Sequence, residues 1–320
     1  MAKYFVFMTD SVFPDVAIER GELSLADAEL TFSSALDTET LIREGQDCDA
    51  MIVGYAQVNA NVISKLNRCK VIVRMGIGFN NVDLEAASKA GIMVANVPDY
   101  CLDEVADHTI ALMLAVVRRT CFLNSKVGND DWSIADAKPI PRLRGKVFGL
   151  FGCGGIGQQV GKRASAFGME VIGYDPYASE SVFAENNIRQ VVGFDEFLAA
   201  TDVLSLHVPF TDTTRHIINR ETIAKMKRSA YVINTSRGGL IEESDLYEAL
   251  VEGALAGAGL DVLEVEPPAS APPLSTLTNT VITPHTAFFS GESVVELRRK
   301  ASQEVIRTLE EGQPKFCVNR

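Results

Sequence analysis

The sequence predicts an α/β protein built from two doubly wound parallel-sheet domains, of the Rossmann or flavodoxin-like kind, with a cleft between them. Two observations support this fold class. Short apolar runs alternate with helical stretches along nearly the whole chain, and one such unit, residues 146–175, carries a glycine-rich turn between its strand and its helix. Short apolar strands separated by helices are typical of a parallel sheet that is covered on both faces. A chain of 320 residues is long enough for two such cores.

The first hundred residues alternate predicted strands with stretches that are compatible with helices. This alternation predicts a first doubly wound domain. A strongly apolar helix predicted over 102–119 follows and can connect two domains. The strands are predicted at 4–8, 28–32, 50–54, 71–74 and 93–96, with helices near 35–44 and 58–65.

The second half of the chain repeats the alternation after a polar segment, 124–145, which contains the only tryptophan, Trp132. Such an excursion is often an oligomer contact or a lid, and both interpretations stay open. A last amphipathic helix, 292–311, has no strand after it and is expected to return to the first domain. The second set of strands is predicted at 146–151, 170–174, 202–208, 230–235, 256–261 and 280–283.

Composition restricts the possible functions. The net charge of -12 argues against nonspecific nucleic-acid binding, which needs an excess of Lys and Arg. The six cysteines form no CxxC pair, which favours free thiols in a reducing cytoplasm. No apolar stretch approaches the roughly 20 residues that span a bilayer, and the N-terminus lacks the layout of a signal peptide. The sequence therefore predicts a cytoplasmic protein without membrane or nucleic-acid partners.

The glycine-rich turn predicts a dinucleotide site. Gly152 permits a tight turn, Gly154 lets the backbone approach a pyrophosphate, and Gly157 lets the helix pack closely on the strand. The N-terminus of the helix then offers free N–H groups to phosphate oxygens. Asp175 follows Gly157 by 18 residues, where a carboxylate can accept hydrogen bonds from an adenosine ribose. Because that charge would repel a 2′-phosphate, the cofactor is predicted to be NAD rather than NADP.

Three later stretches place reactive side chains at predicted strand ends. Arg237 follows the strand at 230–235, and a guanidinium there can bind a carboxylate and polarise a carbonyl. Glu266 directly precedes a proline, and His285 follows the strand at 280–283. Carboxyl ends of parallel strands lie along one edge of a sheet. The pattern therefore predicts a hydride-transfer site with a proton donor beside it.

Together these motifs resemble the D-isomer-specific 2-hydroxyacid dehydrogenases, along nearly the whole chain and in the same order. The resemblance is closest to the branch near the C-terminal-binding-protein co-repressors and the phosphoglycerate-dehydrogenase-like bacterial enzymes. One departure is Asn80, where the family more often has Asp. The matching stretches are 74–83, 96–98, 104–108, Gly152-x-Gly154-x-x-Gly157, 234–239, Asp261 to Pro267, and Pro284-His285.

The resemblance implies a role for each matching residue. His285 would be the general acid and base, Glu266 would orient it, and Arg237 would hold the substrate. The substrate-binding set is Ile77, Gly78, Tyr100, Arg237 and His285. Asp261 would lie by the nicotinamide amide. The implied cofactor-binding set is Gly152, Gly154, Gly155, Ile156, Gly157, Asp175, Val208, Pro209, Thr235, Ser236, Arg237, Asp261, His285 and Phe288. No metal site is implied.

The predicted function is therefore an NAD-dependent oxidoreductase that interconverts a small 2-keto acid and a D-2-hydroxy acid. We expect a substrate-binding domain formed by 1–101 and 290–320, an NAD-binding domain over 102–289, and a homodimer through 102–145. One alternative is an NADH-sensing, co-repressor-like interaction protein with little turnover. A second is an amino-acid dehydrogenase, which would want a lysine that the three motifs lack.

Overall fold

A computed structural model describes residues 2–11, 13–137 and 139–319, without the side chain at 136. The chain forms two compact units, Met1–Cys101 with Ser290–Arg320, and Leu102–Phe289. No helix among the described residues is both long and apolar enough to cross a bilayer.

Twelve strands and twelve α-helices are assigned in the described ranges. The strands are β1 Tyr4–Met8, β2 Ala28–Phe32, β3 Ala50–Val53, β4 Val71–Arg74, β5 Met93–Ala95, β6 Val147–Phe151, β7 Glu170–Tyr174, β8 Arg189–Gln190, β9 Val203–Leu206, β10 Tyr231–Asn234, β11 Gly257–Leu260 and β12 Thr280–Ile282. The helices are α1 Ala17–Ser24, α2 Thr38–Gly45, α3 Ala60–Ile63, α4 Leu84–Lys89, α5 Leu102–Val117, α6 Thr120–Gly128, α7 Gly155–Ala166, α8 Glu180–Glu185, α9 Phe194–Ala200, α10 Arg220–Ile223, α11 Glu243–Val251 and α12 Gly291–Glu311.

The first unit contains a five-stranded parallel sheet in the order β2-β1-β3-β4-β5. The central strand β3 is buried along its whole length, as expected for a strand with helices on both faces. The C-terminal helix α12 packs on α1 in this unit. There the guanidinium of Arg298 donates two hydrogen bonds, each of 2.7 Å, to the fully buried carboxylate of Glu19.

The second unit contains a seven-stranded parallel sheet in the order β12-β11-β10-β9-β6-β7-β8. The chain runs outward from β6 in both directions, so the strand order reverses at β6. Ligands of open α/β sheets bind beyond the carboxyl ends of the strands at such a reversal. The glycine-rich turn follows β6, and Arg237, Glu266 and His285 follow β10, β11 and β12.

The observed elements confirm the predicted α/β fold class with its two parallel sheets. Apart from shifts of up to three residues at the ends of elements, two elements depart from the sequence prediction. The first residues of the predicted excursion, 124–128, form the second half of helix α6, none of whose side chains is buried. Its lack of a buried face explains why no helical periodicity marks it in the sequence. Strand β8 was not predicted, because its two residues are polar and exposed and leave no apolar run.

Candidate active site

The turn after β6 is tight because two of its glycines lie against backbone. Gly152 has φ 97°, and a Cβ there would lie 2.6 Å from the carbonyl oxygen of His207. A Cβ on Gly157 would overlap the carbonyl oxygen of Gly152. Both positions therefore require glycine, for the conformational and packing reasons that the sequence pattern predicts.

The N-terminus of α7 is open toward the turn. Gly154 is its N-cap residue and supplies no side-chain cap, so the first N–H groups of a 12-residue helix keep their hydrogen-bonding capacity. No heavy atom lies within 4 Å of a Cβ built on Gly154. Free N–H groups, open space and a positive helix end fit a dinucleotide pyrophosphate. Gly155 and Ile156, which form the first turn, belong to the same surface.

Asp175 lies just beyond β7 and organises this turn. Its carboxylate accepts hydrogen bonds of 2.9 Å from the backbone N–H of Cys153 and of Tyr177. It thereby ties the glycine turn to the end of β7. The ribose contact stays a prediction. Cys153 itself is buried, and burial raises the pKa of its thiol to about 12.

His285 and Glu266 form a hydrogen-bonded pair at the carboxyl edge of this sheet. Nδ1 of His285 lies 2.6 Å from Oε2 of Glu266, and Oε1 of the same carboxylate accepts a hydrogen bond of 2.8 Å from the backbone N–H of Leu263. Both side chains are about one-third exposed. Because Nδ1 points to Glu266, Nε2 is the ring nitrogen that can face a substrate.

The charge of Glu266 is stabilised by its neighbours. Partial burial alone would raise the pKa of this carboxyl, but the hydrogen bond from His285, the N–H of Leu263 and the positive charge of Arg237 outweigh it. The net result is a pKa below the ordinary value. Glu266 is therefore an ionised acceptor that faces Nδ1 of His285.

Asp261 holds the turn that carries His285. Its buried carboxylate accepts hydrogen bonds from the hydroxyl of Thr283 at 2.6 Å and from the backbone N–H of Thr286 and Ala287 at 2.9 and 2.8 Å. Its carbonyl oxygen also accepts the N–H of His285 at 2.7 Å. His285 has φ 53°, a conformation that side chains rarely adopt without such support. The predicted nicotinamide contact of Asp261 stays untested.

Arg237 and its neighbours occupy the same edge after β10. The guanidinium Nη1 donates to the carbonyl of Ser236 at 2.6 Å, and its charge acts on Glu266. The hydroxyl of Thr235 is hydrogen-bonded to the hydroxyl of Thr109 at 2.8 Å. The hydroxyl of Ser236 donates to the carbonyl of Leu206 at 2.7 Å. The remaining predicted cofactor residues are Val208 and Pro209, directly after β9, and Phe288, whose ring centroid lies 6.2 Å from that of His285.

The predicted substrate residues of the first unit lie at the ends of β4 and β5. The carbonyl of Ile77 accepts a hydrogen bond of 2.6 Å from the side chain of Asn96, which fixes the peptide before Gly78. Tyr100 is only 7% exposed and therefore offers little surface to a ligand. Substrate contacts of Ile77, Gly78 and Tyr100 stay predictions from the resemblance.

Two histidines have positions that sequence patterns do not reveal. His207, which follows β9, has a buried Nδ1 without a hydrogen-bond partner among the described residues, while its Nε2 lies 2.8 Å from the hydroxyl of Ser205. Burial lowers the pKa of His207 to about 3, so its ring is neutral. His216 lies between two glutamates. No spacing in the sequence could have indicated either arrangement.

Comparison with known proteins places this chain in a family. The profile described as the D-isomer specific 2-hydroxyacid dehydrogenase, NAD binding domain, matches residues 110–287. The hydroxypyruvate reductase of Thermotoga maritima is 38% identical over 97% of this chain and 98% of that protein. The chain belongs to the D-isomer-specific 2-hydroxyacid dehydrogenase family. Its second unit thus contains the NAD-binding domain of that family.

Other members differ in length and named substrate. The D-3-phosphoglycerate dehydrogenase of Methanocaldococcus jannaschii is 41% identical over 92% of this chain. The match covers only 55% of that protein, so this chain spans about half of its length. A glyoxylate reductase from Paecilomyes thermophila has a TM-score of 0.90 at 28% identity, with 99% of both chains covered. The D-lactate dehydrogenase from Aquifex aeolicus, solved with NAD and lactic acid, has a TM-score of 0.86 at 29% identity. The match covers 98% of this chain and 99% of that chain.

Proposed function

We propose that the chain is an NAD-dependent D-2-hydroxyacid dehydrogenase that reduces a small 2-keto acid and oxidises the corresponding hydroxy acid. The observation that supports this most directly is the pair of His285 and Glu266, 2.6 Å apart. In this arrangement, the imidazole of His285, hydrogen-bonded to Glu266, can donate a proton. Arg237, whose charge acts on Glu266, is a cation that can bind the substrate carboxylate. Family membership and the open N-terminus of α7 support NAD as the cofactor.

In the proposed reduction, a nicotinamide cofactor held at the open N-terminus of α7 would supply the hydride that C2 of the keto acid accepts. Arg237 binds the substrate carboxylate and polarises the carbonyl through hydrogen bonds from its guanidinium. His285 donates the proton on Nε2 to the carbonyl oxygen as the negative charge develops there, which leaves a 2-hydroxy acid and a neutral ring. Glu266 holds Nδ1–H throughout, so that Nε2 keeps its orientation. The oxidation runs in reverse, with neutral His285 as the base.

The substrate is proposed to be a short, hydrophilic 2-keto acid. The Thermotoga maritima relative, matched over 98% of its length, is named hydroxypyruvate reductase. Two similar solved structures are named as a glyoxylate reductase and a D-lactate dehydrogenase. Hydroxypyruvate is therefore the first substrate to test, with glyoxylate, 2-ketobutyrate, phenylpyruvate and sulfopyruvate as the comparison panel.

The function is tested by NADH oxidation with this panel in the wild type and in His285→Ala. We expect the substitution to lower kcat by at least about a hundredfold, the typical contribution of a general acid, while NADH affinity is kept. NADH fluorescence measures that affinity, and Arg220→Gln, an exposed ion-pair variant, serves as the control. Full turnover in His285→Ala would contradict the assignment. Tight NADH binding without turnover of any acid would favour the co-repressor-like alternative.

We also propose a cytoplasmic homodimer. The cysteines in the described ranges are free thiols, which fits a reducing compartment. In the segment after α6, the side chains of Trp132 and Ile134 are 88% and 85% exposed. Large apolar side chains exposed this close together are typical of a contact surface. A second copy of the chain is the partner that symmetry most often supplies.

A further inference from the structure

His216 lies in the loop between β9 and α10 with a carboxylate at each ring nitrogen. Nδ1 is 2.9 Å from Oε2 of Glu242, and Nε2 forms a short contact with Oε1 of Glu264. All three side chains are about one-third exposed. Since ionised carboxylates only accept hydrogen bonds, this geometry requires a hydrogen on both ring nitrogens. With both glutamates ionised, the ring is therefore a hydrogen-bond donor on both sides, an imidazolium between two carboxylates.

A metal ion fits this cluster less well than a proton does. The three potential ligand atoms lie within 4.8 Å of one another. However, the two carboxylates approach opposite nitrogens of the ring, and a metal ion could bind only one of those nitrogens. The cation that satisfies both glutamates at once is the doubly protonated ring itself.

The backbone around His216 joins the loops that carry the proposed catalytic residues. The N–H of His216 donates to the carbonyl of Gly239 at 2.9 Å, two residues after Arg237. A Cβ on Gly238 would overlap the backbone of Leu263 and Glu264, so the loops after β10 and β11 lie in direct contact. The N–H of Glu264 donates to Oε1 of Glu243 at 2.6 Å. The loops after β9, β10 and β11 therefore meet at His216.

The segment from Leu263 to Glu266 is held at both ends. At one end, His216 bonds the side chain of Glu264. At the other end, the carboxylate of Glu266 accepts the N–H of Leu263 and contacts Nδ1 of His285. Only Val265 separates the glutamate that His216 holds from the glutamate that orients His285.

The charge at this corner makes the cation necessary. Four carboxylates are close together, those of Glu242, Glu243, Glu264 and Glu266, and the charges of the other three act on Glu243. The groups that can balance these negative charges are His216, His285 and Arg237. The guanidinium of the nearby Arg215 instead lies over the ring of Phe210. Without a cation at position 216, Glu242 and Glu264 would repel each other, and the segment before Glu266 would lose its anchor.

We propose that His216 is a positioning residue for the acid–base pair. Through Glu264, its imidazolium fixes the segment from Leu263 to Glu266, so that the Glu266 carboxylate stays aimed at Nδ1 of His285. This inference rests on the proposed dehydrogenase function, in which Glu266 orients the proton donor.

The first test is His216→Gln, which removes the cation but keeps a polar side chain. We expect kcat for keto-acid reduction to fall about tenfold, in line with the loss of part of a charge-assisted hydrogen bond, and KM for NADH to stay unchanged. The control is Arg220→Gln in α10. Arg220 bonds Asp245 and Glu248 on α11 rather than any described residue of the segment from Leu263 to Glu266, so this variant should keep the wild-type rate.

A double-variant cycle tests whether His216 acts through Glu266. If it does, adding His216→Gln to Glu266→Gln lowers kcat no further. Independent, multiplying losses would overturn the proposal. His216→Arg keeps a cation with several donors and is expected to recover most of the lost rate; a rate as low as that of His216→Gln would count against the proposal.

A turnover-independent test follows the histidine rings by NMR. The chain has four histidines, so each can be assigned from its own substitution. We expect His216→Gln to change the chemical shifts of the His285 ring nitrogens, because Glu266 is then held less firmly against Nδ1. Unchanged shifts would overturn the positioning role. Changed shifts in a protein that turns over no keto acid would retain the positioning role and reject the dehydrogenase.

Discussion

At the scale of single residues, the candidate site depends on one carboxylate that remains charged although it is partly buried. Glu266 achieves this by accepting hydrogen bonds from His285 and from the N–H of Leu263, near the positive Arg237. A charge that is stabilised in this way also stabilises the cation beside it, since the interaction energy is shared by both partners. Glu266 therefore presents a charged acceptor to Nδ1 of His285 and fixes the direction of the ring.

Replacing Glu266 by glutamine tests this shared charge. Because the pKa of Glu266 lies below its ordinary value, its charge supports the His285 cation at all pH values above that lowered pKa and is lost only as the pH falls through it. In Glu266→Gln that support is absent. We expect keto-acid reduction to slow about tenfold, and the acidic limb that protonation of Glu266 gives the wild type to be missing from the pH profile of the variant.

The measurement is kcat/KM for reduction as a function of pH in both proteins. Glu248→Gln is the control, because Glu248 pairs with Arg220 on the surface and has no contact with His285. A pH profile of Glu266→Gln that overlaid that of the wild type would show that Glu266 does not tune the proton donor.

The residues that sequence reasoning could find, and the one that it could not, illustrate its reach at this scale. Arg237, Glu266 and His285 each follow a predicted strand, and the resemblance to a family assigned their roles. Their mutual distances were not predictable, because residues 266 and 285 meet only through the pairing of β11 with β12. His216 had no signal at all, since its partners lie 26 and 48 residues away and share no motif with it.

At the scale of elements, buried strands were predictable and exposed elements were not. An apolar run bounded by turn residues locates a strand that is covered on both faces, as in β3 and β9, whose residues are all buried. Helix α6 and strand β8 have no buried face, so neither periodicity nor an apolar run marks them. Some predicted strands, such as 50–54 and 202–208, extended one or two residues beyond the observed β3 and β9.

The C-terminal helix α12 depends on one buried ion pair in the first unit. The guanidinium of Arg298 donates two hydrogen bonds to the carboxylate of Glu19, and both side chains are buried. Removing one partner leaves a buried charge without its counter-ion, which costs about 3–5 kcal/mol. We therefore expect Arg298→Met to lower the free energy of unfolding by about 3 kcal/mol, measured by urea denaturation.

The neighbouring pair of Arg299 and Glu22 provides a matched control. Arg299 comes from the same helix and bonds an acid on the same α1, but it is half exposed. An exposed pair contributes at most about 1 kcal/mol, so Arg299→Gln should change the unfolding free energy only slightly. Equal losses in the two variants would mean that burial of the Arg298 pair is not what secures α12.

At the scale of the whole molecule, the chain combines a strong negative charge with a local apolar surface. The net charge of -12 keeps copies apart unless a specific contact overcomes the repulsion. The exposed side chains of Trp132 and Ile134 lie in the segment after α6, which the sequence marks as an excursion. Among the described residues, the other large apolar side chains that are more than 80% exposed, such as Leu25, have no second one within two residues.

If this segment forms the dimer contact, a charge placed in it should separate the subunits. In Trp132→Glu, a carboxylate replaces a large aromatic anchor and would be buried without a partner, which destabilises an interface by several kcal/mol. We expect the wild type to sediment as a dimer and Trp132→Glu to sediment as a monomer with an unchanged circular dichroism spectrum. Leu25→Glu adds the same charge at a similarly exposed position and should remain dimeric. A dimeric Trp132→Glu protein would locate the contact elsewhere, and a monomeric wild type would remove the proposal of a homodimer altogether.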